Sequence, residues 1–129
     1  MAPRVLYIED NIDNLILVRR ILKAEGFELL EATSAQQGIA LAEQHIPDLI
    51  LMDINMPEMD GLMATRHLRQ IPSLQNIPII ALTANIMPQV LDEMIAAGCE
   101  GYITKPVSVD TLPEQILRFL KNGRKNNRH

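Results

Sequence analysis

Leu49-Ile50-Leu51-Met52-Asp53-Ile54-Asn55 sets four apolar side chains in an unbroken row and ends them in a carboxylate. A strand with one wet face would alternate apolar and polar residues. A short run with no polar member is what a strand covered on both faces requires. Working outward, similar runs recur at Val5-Leu6-Tyr7-Ile8, Phe27 to Ala32, Ile77 to Leu82, and Tyr102-Ile103. Helical periodicity follows each of them. Ile12, Leu15, Val18 and Leu22 step by three or four residues, as do Ala35, Ile39, Ala42 and Ile46, then Met87, Leu91, Met94 and Ile95, and finally Leu112, Ile116, Phe119 and Leu120. Gly61 to Leu68 gives a shorter third helix. Gly26 and Gly98 stand where helices should stop, because glycine takes the left-handed position without a Cβ clash.

Strict strand-helix alternation predicts an α/β domain, a parallel sheet of five strands with five helices on its two faces. The first, third and fourth runs are apolar throughout and belong inside the sheet. The second carries Glu28 and Glu31 and the fifth is short, which suits the edges and gives the order 2-1-3-4-5. The domain is expected over residues 1–121, with a polar, solvated tail over residues 122–129 that includes Arg124, Lys125 and Arg128. Pro113 fits the first turn of the last helix if Asp110 is the cap and falls a turn deeper if Ser108 is, and the sequence leaves both open.

Composition narrows the function classes. A chain of 129 residues, 47% hydrophobic and 22% charged, holds one packed core and no second module. Net charge of -4 and a pI near 5.3 disfavour nucleic acid and anionic membranes. The lone Cys99 offers no intramolecular disulfide, and no Cys/His spacing suits zinc. Without a signal peptide or a membrane-length apolar stretch, the expectation is a soluble, cytoplasmic protein.

In an open parallel sheet, ligands bind beyond the carboxyl ends of the strands where the strand order reverses. The first strand ends in Ile8-Glu9-Asp10 and the third in Asp53, so neighbouring strands would bring three carboxylates to one crevice. Crowded carboxylates either take up a proton or receive a cation. Hard oxygen ligands at one mouth suit Mg²⁺, which keeps waters and leaves room for a phosphoryl oxygen. The competing reading of a single acid is a helix cap, and Asp10 or Asn11 can cap the first helix. Thr83, ending the fourth strand, and Lys105, following the fifth, add a hydroxyl and an ammonium to the same rim. Taken singly, Thr83 reads as a turn hydroxyl, Lys105 as a surface lysine, Tyr102 as an edge-strand aromatic, and Met52, Met56, Met59, Met63, Met87 and Met94 as core and loop packing.

Together these residues resemble the receiver domains of two-component response regulators, over about Arg4 to Leu120. The resemblance rests on Glu9-Asp10, the stretch Asp53-Ile54-Asn55-Met56-Pro57-Glu58-Met59-Asp60-Gly61, Thr83-Ala84, Tyr102 and Lys105-Pro106. Within that family the chain is similar to single-domain regulators of the cell-polarity type and to receivers of hybrid histidine kinases. The fold so implied is flavodoxin-like, for which 2-1-3-4-5 is a usual strand order. The resemblance makes Asp53 the phosphoacceptor. Glu9, Asp10 and the main-chain carbonyl of Asn55 would hold Mg²⁺ or Mn²⁺ with it, and Thr83 and Lys105 would hold phosphoryl oxygens. The Lys105-Pro106 bond would be cis. Glu at position 9, where many relatives have Asp, leaves open whether that residue meets the metal directly or through water.

The implied phosphodonor is a phosphohistidine on a sensor histidine kinase or histidine phosphotransfer protein. The implied response is a turn of Thr83 toward the phosphate and of Tyr102 inward, changing a protein-binding face made by the fourth helix, fifth strand and fifth helix. The chain would then be a phosphoacceptor signalling protein, not a turnover enzyme for another substrate. A phosphatase would be expected to carry a second acid where Asn55 stands. A flavin or nucleotide domain would need a glycine-rich loop where Glu9-Asp10 stand. A phosphate-independent scaffold would bind its partner equally with and without a phosphoryl mimic.

Overall fold

Strand and helix alternate from one end to the other of the computed structural model, which describes residues 2–55 and 61–122. The elements are β1 (Arg4–Ile8), α1 (Ile12–Ala24), β2 (Glu28–Ala32), α2 (Ala35–His45), β3 (Leu49–Asp53), α3 (Gly61–Arg69), β4 (Ile79–Thr83), α4 (Pro88–Ala97), β5 (Gly101–Thr104) and α5 (Leu112–Asn122). All strand pairs are parallel, in the order β2-β1-β3-β4-β5. This is the expected α/β architecture, and the reason is visible residue by residue. Every residue of β3 and β4 is buried, whereas β2 and β5 each expose part of their length at the sheet edges.

Side chains alternate across the sheet, so each central strand feeds two cores. Val5, Tyr7, Leu49, Leu51, Ile80 and Leu82 pack under α1 and α5, against residues such as Leu15, Val18, Leu22, Leu112 and Ile116. Leu6, Ile8, Ile50, Met52, Ile79 and Ala81 face the opposite way, toward Ile39 and Ala42 of α2, Ala64 and Leu68 of α3, and Met94 of α4. At roughly 2–5 kcal/mol for truncating one such aliphatic side chain to alanine, these two layers hold the strand ends in fixed register.

Element boundaries follow local hydrogen bonding. Phe27 N–H donates to Leu22 O at 3.0 Å to close α1, so β2 begins one residue later than its apolar run. Gly26 has φ +85°, the left-handed stop expected there. Ile77 N–H is used by Leu74 O at 3.1 Å, in the 3-10 turn Pro72–Leu74 that precedes β4 and was not anticipated. Asn11, not Asp10, caps α1, accepting from Asn14 N–H at 3.0 Å and leaving the Asp10 carboxylate exposed. Pro113 is the second residue of α5, where a missing amide hydrogen costs little. Asn122, expected to open the tail, is the last residue of α5, and the remainder of that tail lies outside the described residues.

Four residues placed on buried helical faces by their spacing are exposed. Ile12 is the first residue of α1 and Met87 precedes the first residue of α4, so neither completes a turn against the sheet. Ile46 ends α2 with φ 44° and turns away from the core. Ile95 is 70% exposed, because α4 buries Met94 and Ala97 instead. Among the methionines expected to pack the core and loops, Met52 and Met94 are buried and Met63 and Met87 are exposed. Met56 and Met59 lie outside the described residues.

Candidate functional site

The pairing of β1 with β3 puts Ile8 beside Met52, so the residues just after Ile8 open onto the end of β3. One carboxylate oxygen from each of Glu9, Asp10 and Asp53 lies within 4.8 Å of the others. Glu9 and Asp53 are buried, at 1% and 2% exposure, while Asp10 faces solvent. Two buried acids side by side cannot both ionise cheaply.

The hydrogen bonds around them are definite. Lys105 Nζ donates to Asp53 Oδ1 at 2.9 Å and stands 3.9 Å from Glu9 Oε1. Asn55 N–H donates to the same Asp53 oxygen at 3.0 Å. Glu9 accepts from the Tyr7 hydroxyl through Oε1 at 2.8 Å and from Asn11 N–H through Oε2 at 3.2 Å. Burial pushes the Glu9 carboxyl up to about 7, helped by a proton shared with Asp53 and opposed by the Tyr7 hydroxyl. Burial acts the same way on Asp53, but the bonds from Glu9, Lys105 and Asn55 outweigh it and bring that carboxyl below its ordinary value. Without a metal, Glu9 is therefore the acid that keeps a proton more readily, and the negative charge favours Asp53 beside the lysine.

Lys105 reaches the acids because β5 and β4 are neighbours. Its N–H donates to Thr83 O at 2.8 Å, and the Lys105-Pro106 peptide is cis. Thr83 is fully buried at the end of β4, and its hydroxyl serves the next loop: it donates to Asn85 O and accepts from Asn85 N–H, each at 3.0 Å. Tyr102 lies on the edge strand, 41% exposed. A cavity of about 260 Å³ opens beside Lys105, bordered by Tyr7, Leu17, Val18 and Val107. Its walls are mostly apolar, and none of Glu9, Asp10 and Asp53 lines it.

Glu9, Asp10, Asp53 and Lys105 thus come together as one constellation, with Asn55 bonded to it and Thr83 on the adjoining strand. Met56, Pro57, Glu58, Met59 and Asp60 of the quoted motif lie outside the described residues. The residue that the sequence did not single out is Tyr7. Its place two residues before Glu9 on a strand, hence on the same face, was the available signal. Gly61 closes the site from behind: a Cβ there would lie 2.5 Å from Asp53 O and 2.6 Å from Ile54 Cα.

An all-oxygen donor set beside a cationic side chain fits a small hard cation and an incoming anion. No described cluster of Cys or His offers a softer alternative. No helix among the described residues is long and apolar enough to cross a membrane.

Comparison with known proteins agrees with this geometry. The family model for the response regulator receiver domain matches residues 5–117. The polar-differentiation response regulator DivK of Brucella ovis is 41% identical over 120 residues, covering 93% of this chain and 98% of its own. The Vibrio cholerae chemotaxis protein CheY4 superposes with a TM-score of 0.88 at 29% identity, over 92% of this chain and 98% of its own. The receiver domain of a Pseudomonas aeruginosa sensor histidine kinase, whose structure has a magnesium ion coordinated in the active-site cleft, gives a TM-score of 0.86 at 30% identity, over 94% of this chain and 99% of its own.

Proposed function

Because the chain belongs to the response regulator receiver domain family of two-component signalling, we propose that Asp53 accepts a phosphoryl group from a phosphohistidine and that the added charge switches protein contacts. The supporting observation is the convergence of Glu9, Asp10 and Asp53 oxygens within 4.8 Å, with Lys105 2.9 Å from the proposed acceptor.

In this reading an ionised Asp53 oxygen attacks phosphorus in line, the phosphorus-nitrogen bond breaks, and imidazole leaves. No general base is required, since Asp53 already carries the charge. Glu9, Asp10, Asp53 and the Asn55 carbonyl would hold Mg²⁺ or Mn²⁺. The bound ion would supply positive charge against the phosphoryl oxygens. Lys105 moves from the acceptor to a phosphoryl oxygen, and the Thr83 hydroxyl exchanges Asn85 O for another. The partners are a sensor histidine kinase or histidine phosphotransfer protein upstream, and a target protein on the α4, β5 and α5 face downstream. We assign the receiver unit to residues 1–121 and its place of action to the cytoplasm.

The test is labelling of purified protein by a small phosphodonor with Mg²⁺. Wild type should incorporate phosphate and Asp53→Asn should not; equal labelling of the two would sink the assignment.

A further inference from the structure

Tyr7 spends a buried hydroxyl on one acceptor. Tyr7 is 1% exposed in a layer with Val5, Leu15, Val18 and Leu82 whose other side chains are all hydrocarbon, and its oxygen sits 2.8 Å from Glu9 Oε1. A hydroxyl buried without a partner would be unfavourable, so the residue is intelligible only together with Glu9. Glu9 in turn is held at both oxygens, by Tyr7 at one and by Asn11 N–H at the other. An aspartate at this position would withdraw its oxygens from the hydroxyl by up to about 1.5 Å, one carbon-carbon bond. Tyr7 and Glu9 are therefore matched in length.

We propose that Tyr7 is a positioning residue for the divalent cation: its hydroxyl fixes the rotamer of the longer Glu9 carboxylate, so that glutamate serves the cation in this chain. This rests on the reading that the acid cluster binds the metal. Partners that orient ligating carboxylates typically contribute roughly 10- to 100-fold in metal affinity. Tyr7→Phe keeps the buried ring and removes only the oxygen.

The deciding experiment is a double-mutant cycle read as Mg²⁺ and Mn²⁺ dissociation constants by calorimetry, on wild type, Tyr7→Phe, Glu9→Asp and the double variant. Tyr7→Phe alone should weaken binding by about tenfold or more, and in the Glu9→Asp background by less than about threefold. Equal loss in both backgrounds, or no loss in either, would overturn the pairing. If wild type itself bound neither ion, the metal reading would fail first, and distinguishably. Should Tyr7→Phe not fold, Tyr102→Phe leaves Tyr7 as the sole tyrosine in a chain without tryptophan. Its absorption band should then shift along the calorimetric metal isotherm, and a band indifferent to metal would reject the proposal.

Discussion

At the scale of single residues, the site is organised by two crowded buried acids and one lysine. Glu9 titrates near 7 instead of its ordinary 4.5, first because it is buried and then because Asp53 shares its proton. A carboxyl whose pKa is raised by folding stabilises the folded state fully below its unfolded value and loses that contribution as pH climbs through the folded one. The metal-free protein should accordingly lose thermal stability between about pH 4.5 and 7 through this residue. Glu9→Gln should flatten that slope in melting curves recorded in chelator. Asp53 has the opposite sign: its lowered pKa gives a stabilisation present above the ordinary value of 3.8 and lost as pH falls below it. The two windows do not overlap, so a pH series separates them. In the proposed mechanism Lys105 governs chemistry more than folding, because it is partly exposed and its ammonium bonds Asp53 at 2.9 Å and stands 3.9 Å from Glu9. Lys105→Ala should slow phosphoryl uptake by about 10²-fold or more, the typical loss for one preorganised charge-stabilising donor. A stopped-flow phosphorylation rate with a small phosphodonor checks it, and an unchanged rate would remove the lysine from the mechanism.

At the scale of elements, the join of β3 to α3 sets where Asp53 points. Gly61 N–H donates to Ile54 O at 3.3 Å, and a Cβ on that glycine would meet Asp53 O, Ile54 Cα and Met52 Cγ. Two of those are backbone atoms that cannot rotate aside. Gly61→Ala should destabilise the fold by about 1–3 kcal/mol, measured as a fall in denaturant midpoint. It should also lower phosphoryl uptake, since relief of the clash must move the acceptor's own carbonyl. This join also marks where sequence stops being sufficient. The apolar runs without polar interruption identified the three inner strands, because a strand buried on both faces admits polar residues only at its end, where Asp53 and Thr83 stand, and Glu28 and Glu31 marked an edge for the converse reason. Glu31 is in fact paired to Arg19 Nε at 2.6 Å on that edge. Periodicity alone misplaced Ile12, Ile46, Met87 and Ile95, since it cannot say which turn of a helix still overhangs the sheet. The grouping of Glu9, Asp10, Asp53 and Lys105 was legible because each ends or follows a strand, and parallel strands deliver their ends to one edge. The two-residue spacing puts Tyr7 on the face of Glu9, but whether its hydroxyl reaches the carboxylate depends on side-chain length, and the contact behind Gly61 depends on loop path.

At the scale of the whole molecule, the question is how a charge placed at Asp53 is felt on the far side of β4. In the proposed mechanism Thr83 carries it. Its hydroxyl is engaged in both directions with Asn85, so the loop leading to α4 is tied to the end of β4 in the unphosphorylated state. A phosphoryl oxygen is a stronger acceptor than a neutral carbonyl, by roughly a factor of two in hydrogen-bond strength. Exchange of one for the other would therefore bias the loop by about 1–2 kcal/mol, equivalent to a population change of roughly 5- to 30-fold. That is ample for a signalling switch and far short of a locked state, so unphosphorylated protein should retain measurable target binding. Under that proposal Tyr102 would report the change, because it starts 41% exposed on β5 whereas Tyr7 is buried. Beryllofluoride with Mg²⁺ should reduce iodide quenching of tyrosine fluorescence in wild type as Tyr102 turns inward. Thr83→Ser keeps the hydroxyl and should preserve that response. Thr83→Ala should still bind the mimic but lose most of the response, because nothing then links the anion to the loop. If Thr83→Ala responded as wild type does, the charge would have to travel by Lys105 and the β5–α5 connection instead, and the hydroxyl would be a turn residue only.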